Sequence, residues 1–503
     1  MNFKCVWLLC ICILFGNAAV AASTDLQCSI MEVAKNVNVR SMPTKNSKKI
    51  GYLQVGQQYV ETEQQGNWSR VWFKNKQYWV YRKGYLKSVS GQCVQIMNTE
   101  TGHVNVRESS NKYTQKIGVA PEKSLWALQA KEGMWAKLWY DAKPAYIHTK
   151  YAKDTNPLLK DVIADPNFLK CLSENHTRAS DVTSINCARR KIESTRGIEF
   201  LRLLIEARLS GNQIKEIDTK HNIRLEVLDL SVNQLSSVNV TENPELVELS
   251  VTYNELVDIE LYRNQRLKNL SVGNNNLQKI DITNNVHLVE FYAEYNELTT
   301  LDVSKNLKLN NLDISNNNIA EVDLSLNENL KTLIVESNQL QELNVRNNLE
   351  LTSILANNNF LNEIDVFNNV ELVFFYAEHN ALERINVENN KKLVSLFLGF
   401  NALAEIDVSN NSELKRFRAH VNQLTKIDLA ENSSLIELVL DRNKIENIDF
   451  SNNLELEIIG LERNRISQLD INNNIKLRLL GIDENVICVG ARCVIRKVWM
   501  KQL

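Results

Sequence analysis

Residues 309–330 read LNNLDISNNNIAEVDLSLNENL, and this pattern recurs with its spacing intact through most of the chain. Its apolar positions are Leu309, Leu312, Ile314, Ile319, Val322 and Leu324, punctuated by Asn317 and Asn327. Asn317 belongs to a series of fourteen, one every 21 residues, from Asn212, Asn233 and Asn254 to Asn464 and Asn485. A leucine stands eight residues before each, from Leu204 to Leu477, with no insertion or deletion. A fixed period of this length makes each unit one turn of a solenoid, which buries its apolar edge only against its neighbours.

The unit is nested. The pattern L-x-x-L-x-L-x-x-N runs from Leu309 to Asn317 and, with Ile319 leading, again to Asn327; the second asparagine is periodic from Asn222 to Asn474. Each coil is therefore expected to have two near-equivalent sides. Alternation in Leu228-Asp229-Leu230 puts two residues inward and one outward, a short strand that pairs with its copies above and below. An inward asparagine amide can satisfy buried backbone donors and acceptors together. At about 4.8 Å per stacked strand, fourteen coils span about 65 Å.

These residues resemble leucine-rich repeats, in a nested 21-residue form found in bacterial proteins. The preceding stretch resembles the N-terminal cap of internalin-like proteins, through Phe168-Leu-Lys-Cys171, Val182-Thr-Ser-Ile-Asn-Cys187 and Gly197-Ile-Glu. In that alignment Val182 opens an irregular 22-residue unit and Cys187 points inward.

Residues 29–153 lack the repeat and consist of short Val-, Tyr- and Trp-rich runs that read twice. Val37-Asn-Val-Arg40, Ile50-Gly51, Gly66-Asn-Trp68 and Tyr78-Trp-Val80 are echoed by Val104-Asn-Val-Arg107, Ile117-Gly118, Gly133-Met-Trp135 and Tyr146-Ile147. They resemble tandem bacterial SH3-type domains, and the second copy lacks counterparts of Trp79 and Gly84. That resemblance implies attachment to a cell-wall ligand. Trp72 and Trp79 read as barrel core, with Trp68 and Tyr81 as candidates for a ligand groove.

The fold expected is thus mainly β. Two small SH3-like β-barrels (29–90 and 94–153) precede a linker and cap (154–200), a fourteen-unit leucine-rich-repeat solenoid (201–487) and a C-terminal cap (488–503). Val494, Val498 and Trp499 are expected to cover the last coil.

Residues 1–22, with Lys4, an apolar run and Ala19-Val20-Ala21, have the form of a secretory signal peptide. No later segment is apolar enough to span a bilayer. The mature chain is expected to be exported, whether periplasmic, surface-bound or secreted. Its six remaining cysteines permit fifteen connectivities; closeness in the chain favours Cys28 with Cys93, Cys171 with Cys187 and Cys488 with Cys493, and an oxidising compartment favours bonds over the alternative of buried free thiols. No metal-binding spacing accompanies them.

Residues 29–153 carry 20 Lys and Arg against 8 Asp and Glu, whereas residues 154–503 carry 37 against 51. The overall charge of −2 therefore conceals a basic head on an acidic body. A basic head concentrates at anionic polymers, of which an envelope or wall polymer fits an exported chain better than nucleic acid.

The outward position of the main strand reads Tyr292, Asp313, Ile334, Leu355, Tyr376, Phe397, Arg418 and Val439 in successive coils. Ile334, Leu355, Tyr376 and Phe397, flanked by Phe374 and Phe400, form an apolar stripe about 15 Å long. Arg416, Arg418, Arg442 and Arg463 lie beyond it, with Glu290, Glu294, Glu336 and Glu378 alongside. An aromatic centre with charged rims suits a protein or peptide partner. The other reading is that the rings support one another across strands. On the second side Asp218, Asp281, Asp302, Asp323 and their successors to Asp470 form a ladder that suits either calcium or turn hydrogen bonding.

No nucleophile elbow, phosphate loop or zinc helix is found, so neither a catalytic residue nor a cofactor is assigned. His379 and His420, two coils and roughly 10 Å apart, read as ordinary surface residues. The function expected is a non-enzymatic exported binding protein, with a wall-associated scaffold or regulator of an envelope enzyme as the alternative and an accessory to a wall hydrolase ranked last.

Overall fold

The computed structural model describes residues 29–495, apart from 85, 90–91, 97–102, 108–115, 122–124, 129, 133–134, 141–142, 149–151 and 155–157. The signal segment, Cys28, Val498 and Trp499 lie outside the described residues, as does the expected pairing of Cys28 with Cys93. The chain forms two compact units that divide near residue 158.

In the first unit, β1 (Ser29–Val33), β2 (Val37–Arg40), β3 (Lys49–Leu53), β4 (Gln58–Gln65), β5 (Trp68–Phe73), β6 (Lys76–Tyr81) and β7 (Leu86–Val89) form an antiparallel sheet. Its order is β3-β2-β6-β5-β4-β1-β7. The same pairings then recur among β8 (Gln92–Ile96), β9 (His103–Arg107), β10 (Lys116–Pro121), β11 (Leu125–Leu128), β12 (Ala130–Glu132), β13 (Trp135–Tyr140), β14 (Lys143–His148) and β15 (Ala152–Asp154). Here β9 joins β10 and β14, β13 joins β14 and β12, and β8 joins β11 and β15. Among the described residues, β11 and β12 together take the pairings that β4 makes in the first copy. The echo in the sequence is therefore a repeat of strand topology.

Alternation builds each core. Val37 and Val39 point inward around exposed Asn38, joining Leu53, Val71, Phe73 and Val80. Val106, Trp126, Leu138, Tyr140 and Ile147 fill the second core. The repeated Ile-Gly pair has a steric cause, since a Cβ on Gly51 would lie 2.7 Å from the Phe73 ring and one on Gly118 would strike the Tyr140 phenol. Trp79 is buried, as expected. Trp72 is half-buried and packs on the second core, its ring 6.4 Å from Trp126, so it serves the neighbouring copy rather than its own.

The second unit opens with two short helices, α1 (Leu159–Val162) and α2 (Pro166–Ser173). Asp165 caps α2. One carboxylate oxygen accepts the N–H groups of Asn167 (2.8 Å) and Phe168 (2.9 Å), and the other accepts those of Glu193 (2.9 Å) and Ser194 (3.1 Å). Pro166 follows the cap, where its missing N–H costs nothing. The helix buries Phe168, Cys171 and Leu172, and a disulfide joins Cys171 to Cys187 with Cα atoms 5.9 Å apart.

The strand Ser184–Asn186 then begins a parallel sheet of 15 strands, each of three residues, that ends at Leu479–Gly481. Ile185 pairs with Ala207, a step of 22 residues, and every later step is 21, as in Leu228 with Leu249. The cap thus supplies a first coil beyond the fourteen regular ones. The middle residue of each strand, such as Leu228, Phe291, Leu312 or Phe375, points into the core and is fully buried.

The two asparagine series behave differently. Asn317 donates to the carbonyls of Ile314 (3.1 Å) and of Ala293 in the coil before (2.9 Å), and its Oδ1 accepts the Leu298 N–H (3.0 Å). Asn327 donates to Val303 (3.1 Å) and Asn306 (3.0 Å), but its Oδ1 has no hydrogen-bond partner among the described residues. The same holds at Asn222, Asn264 and others to Asn453, whereas Asn243 Oδ1 accepts the Thr219 hydroxyl at 2.7 Å. One series satisfies donors and acceptors together; the other, contrary to expectation, mostly serves carbonyls alone, with Asn243 the exception named.

The expected equivalence of the two sides fails for a related reason. On the second side Asp323 accepts the Ser325 N–H (2.9 Å) and Leu324 accepts the Asn327 N–H (3.0 Å), so from Asp323 to Asn327 these backbone groups are used within the coil, although Ile319 still accepts the Gln339 N–H of the next one (2.9 Å). Among the described residues of that side only Gln468–Asp470 and Ile487–Val489 pair as strands. Cys488 is joined to Cys493 with Cα atoms 5.8 Å apart. Val494 is 86% exposed and does not cover the last coil, because the turn following Gly490 directs it to solvent.

Candidate partner-binding face

The outer face of the 15-stranded sheet carries three rows of side chains. The first is the third strand residue, and register places Ile334, Leu355, Tyr376, Phe397 and Arg418 side by side. All five are half-buried rather than fully exposed, because they cover one another. The Tyr376 and Phe397 rings stack at 4.3 Å, and the Arg418 guanidinium lies 4.5 Å above Phe397. Arg418 is also paired with Glu437 at 2.6 Å, while Arg416 is exposed with Glu437 at 4.0 Å. Phe374 (41%) and Phe400 (38%) are the more exposed rings of the cluster.

Two residues along lies a row that reads Glu294, Ser315, Glu336, Asn357, Glu378, Gly399, His420 and Asp441. Burial pushes the carboxyls of Glu294, Glu336 and Glu378 above the usual range and that of Asp441 up to about 6. Burial, aided by Arg418, His379 and Arg442, lowers His420 to about 4. Glycines make room for these groups. A Cβ on Gly399 would lie 2.6 Å from His420 Nδ1 and 2.9 Å from Glu378 Oε1, and one on Gly273 would strike the Glu294 carboxylate. Asn357 bonds Glu336 through its amide nitrogen and accepts the Glu378 N–H at 2.7 Å.

The third row is the residue before each ladder asparagine, held at φ between 53° and 58° from Val232 to Arg463. Asn274, Asn316 and Asn358 suit that left-handed conformation, but Val232, Tyr253, Tyr295, Phe400 and Val421 do not. Within this row His379 stacks on Phe400 at 4.0 Å, and His420 meets the same ring edge-on at 5.0 Å. The two histidines thus share one phenylalanine. His420 is not the surface residue its spacing suggested, because the absent Gly399 side chain lets it fold inward.

The second-side aspartates are held in turns. Asp281, Asp302, Asp407 and Asp449 each accept the N–H two residues ahead at 2.8–2.9 Å. Among the described residues no three or more His, Cys, Asp or Glu are grouped to hold a metal. In the first unit Trp68 and Tyr81 are cross-strand partners, their half-buried rings 5.3 Å apart and edge-on, with Lys45 Nζ 5.5 Å from the Tyr81 ring.

Phe360, highly exposed, was not singled out from the sequence. The signal was present, since its column otherwise begins Gln213, Gln234, Glu255, Asn276, Glu297, Asn318 and Gln339.

No family model and no curated protein matches the chain. Among solved structures, the functional domain of InlJ from Listeria monocytogenes, which includes a cysteine ladder, aligns with a TM-score of 0.64 at 29% identity. The alignment covers 65% of this chain and 75% of that one. A leucine-rich-repeat protein of Leptospira interrogans aligns with a TM-score of 0.55 at 21% identity, over 65% of this chain and 97% of that one. The solenoid is of the leucine-rich-repeat type. It has no cysteine between Cys187 and Cys488, and asparagines form its ladders. Among the described residues no helix is long and apolar enough to cross a membrane.

Proposed function

We propose that the chain is an exported, non-enzymatic protein whose solenoid binds a protein partner through the sheet face bearing Ile334, Leu355, Phe374, Tyr376, Phe397, Phe400, Arg416 and Arg418. The observation that carries this reading is the run of apolar and aromatic residues in register on four adjacent strands, beside the exposed Phe374 and Phe400 rings. Contiguous outward aromatics bordered by charge are the composition of an interface centre and its rim. The likeness to bacterial leucine-rich-repeat proteins and the two disulfides support an extracellular binding role.

The first unit is read as two SH3-type modules that hold the protein to an anionic envelope or wall polymer. Its excess of Lys and Arg and the Trp68–Tyr81 pair support this. The test of the solenoid is a cross-linking comparison of the protein with its Tyr376→Ser/Phe397→Ser variant on the producing cells. A partner linked to the first and absent from the second, at matched thermal stability, is expected; equal linking defeats the reading. Sedimentation of both proteins with isolated cell walls tests the head separately, since the serine variant should pellet as well as its parent.

A further inference from the structure

Row two alternates acid and neutral through the aromatic part of the face: Glu294, Ser315, Glu336, Asn357, Glu378, Gly399. Several exposed glutamates of the solenoid pair with cations of neighbouring coils, as in Lys392 with Glu371 at 2.6 Å and Arg384 with Glu363 at 3.1 Å. These three are more buried than those and have no cation within ion-pair distance among the described residues. Glu294 Oε2 and Glu378 Oε1 are shielded from solvent without a hydrogen-bond partner among the described residues. His420 Nδ1, 3.9 Å from Glu378 Oε1, belongs to a neutral ring and adds no charge. Half-buried carboxylates cost stability until a cation joins them. The aromatic row beside them accepts cations on its faces, as Arg418 over Phe397 demonstrates within the chain.

We propose that the partner on this face is a polypeptide segment with lysine or arginine at every third residue, lying along the stack of coils so that its cations meet Glu294, Glu336 and Glu378. This assignment rests on the partner-binding reading above and adds the partner's chemistry to it. The spacing follows from the repeat. The three carboxylates stand on every second coil, about 9.6 Å apart at the strand spacing. Three residues of a polyproline II helix advance about 9.3 Å, which keeps a Lys-x-x-Lys segment in step over all three sites. An extended strand presents same-side residues about 6.8 Å apart and falls out of step after one site. The apolar residues between the cations meet Leu355, Tyr376 and Phe397.

The experiment uses the whole mature chain and three labelled peptides at physiological salt, read by fluorescence anisotropy. One is a fourfold repeat of Lys-Pro-Pro, the second has the same composition with its lysines consecutive, and the third has glutamine for lysine. The spaced peptide should bind, and binding should weaken at least about tenfold in the Glu294→Gln/Glu336→Gln/Glu378→Gln variant. Glutamine keeps the shape of glutamate, so the variant should melt no lower than its parent. The clustered peptide should bind at least about fivefold more weakly than the spaced one, and the glutamine peptide not at all. Failure of the spaced peptide to bind, equal affinity for the clustered one, or unchanged affinity of the variant overturns the inference. Should the glutamine peptide bind, and lose binding in Tyr376→Ser/Phe397→Ser, the face is a binding site and only the cationic assignment fails. The broader reading falls separately, if cross-linking survives the serine variant.

Discussion

Tyr376 and Phe397 lie on adjacent strands with ring centroids 4.3 Å apart and planes 9° from parallel. The geometry fits the supporting role that outward aromatics have in sheets as well as a binding role. A double-mutant cycle with Tyr376→Ala and Phe397→Ala, followed by urea unfolding, should give a coupling of about 1 kcal/mol. Additive losses would show that the stack does not stabilise the coils.

Val232 and Phe400 both occupy the left-handed conformation with φ of 55° and 54°. Replacing Val232 by asparagine, the residue at the equivalent Asn274, Asn316 and Asn358, should raise stability by about 1 kcal/mol, and Phe400→Asn should gain less because it also removes the ring contacts with His379 and His420. Phe400→Asn should at the same time weaken partner binding, whereas Val232→Asn should leave it unchanged. Thermal melts of the two variants beside a binding assay decide this, and a lower melting temperature for Val232→Asn counts against strain at this row.

Asp165 ties the first turn of α2 to the chain at Glu193 and Ser194 through four N–H groups. Burial works to raise its pKa, but the bonds from Phe168, Glu193, Ser194 and Asn167 outweigh it and hold the carboxyl below the usual range. Its contribution is therefore complete above the unfolded value of about 3.9 and is lost as pH falls through the lower folded value. Asp165→Ala should cost about 2 kcal/mol at neutral pH. The difference between variant and parent should shrink in strong acid, and a constant difference down to pH 2 contradicts the assignment.

His420 and Asp441 act in opposite senses. His420, at about 4, is neutral in the fold, so the unfolded chain takes up a proton first and stability falls as pH drops from about 6.5 towards 4. Asp441, at about 6, binds its proton more readily folded than unfolded, so it adds stability as pH drops from about 6 towards 3.9 and costs stability at neutral pH. Glu378, Arg418, His379, Arg442 and Phe400 surround the first, and Glu462 and Asp483 face the second. Asp441→Asn should raise the melting temperature at pH 7.5 and not at pH 4, and His420→Gln should flatten the acid loss. Parallel melts across pH 4–8 read both.

The two asparagine series predict unequal costs. Asn317→Ala strips partners from carbonyls and from the Leu298 N–H, whereas Asn327→Ala strips only carbonyls. Losses of about 3 and about 2 kcal/mol are expected in urea unfolding. The reverse order would contradict this, since removing an unpartnered buried oxygen from Asn327 cannot add to the loss.

The repeat was legible because a period that never slips fixes which residues point inward, from Leu204 to Leu477. The irregular first unit was legible through the resemblance to an internalin-like cap, and Cys171 with Cys187 and Cys488 with Cys493 through their closeness in the chain. The apolar stripe was read as outward, and it is. Its half-burial was not read, since it depends on rings covering one another. Nor was the burial of Glu378 and His420, which arises from what Gly399 lacks, and a pattern of present side chains does not reveal an empty place. The two sides looked alike in sequence because both carry leucines and asparagines at equal spacing. They differ at the second-side turns, where the Asp323 carboxylate accepts the Ser325 N–H within its own coil.

The cysteines have a bearing on how the array comes apart. A stack in which each coil touches only its neighbours opens most readily from its ends, where one neighbour is missing. Cys171–Cys187 and Cys488–Cys493 sit at those ends, and no cross-link interrupts the coils between them. The first bond clamps the cap helix across 16 residues to the opening coil, whereas the second only closes a turn of 5 residues beyond the regular coils, so reduction should loosen the cap and leave the far end fraying much as before.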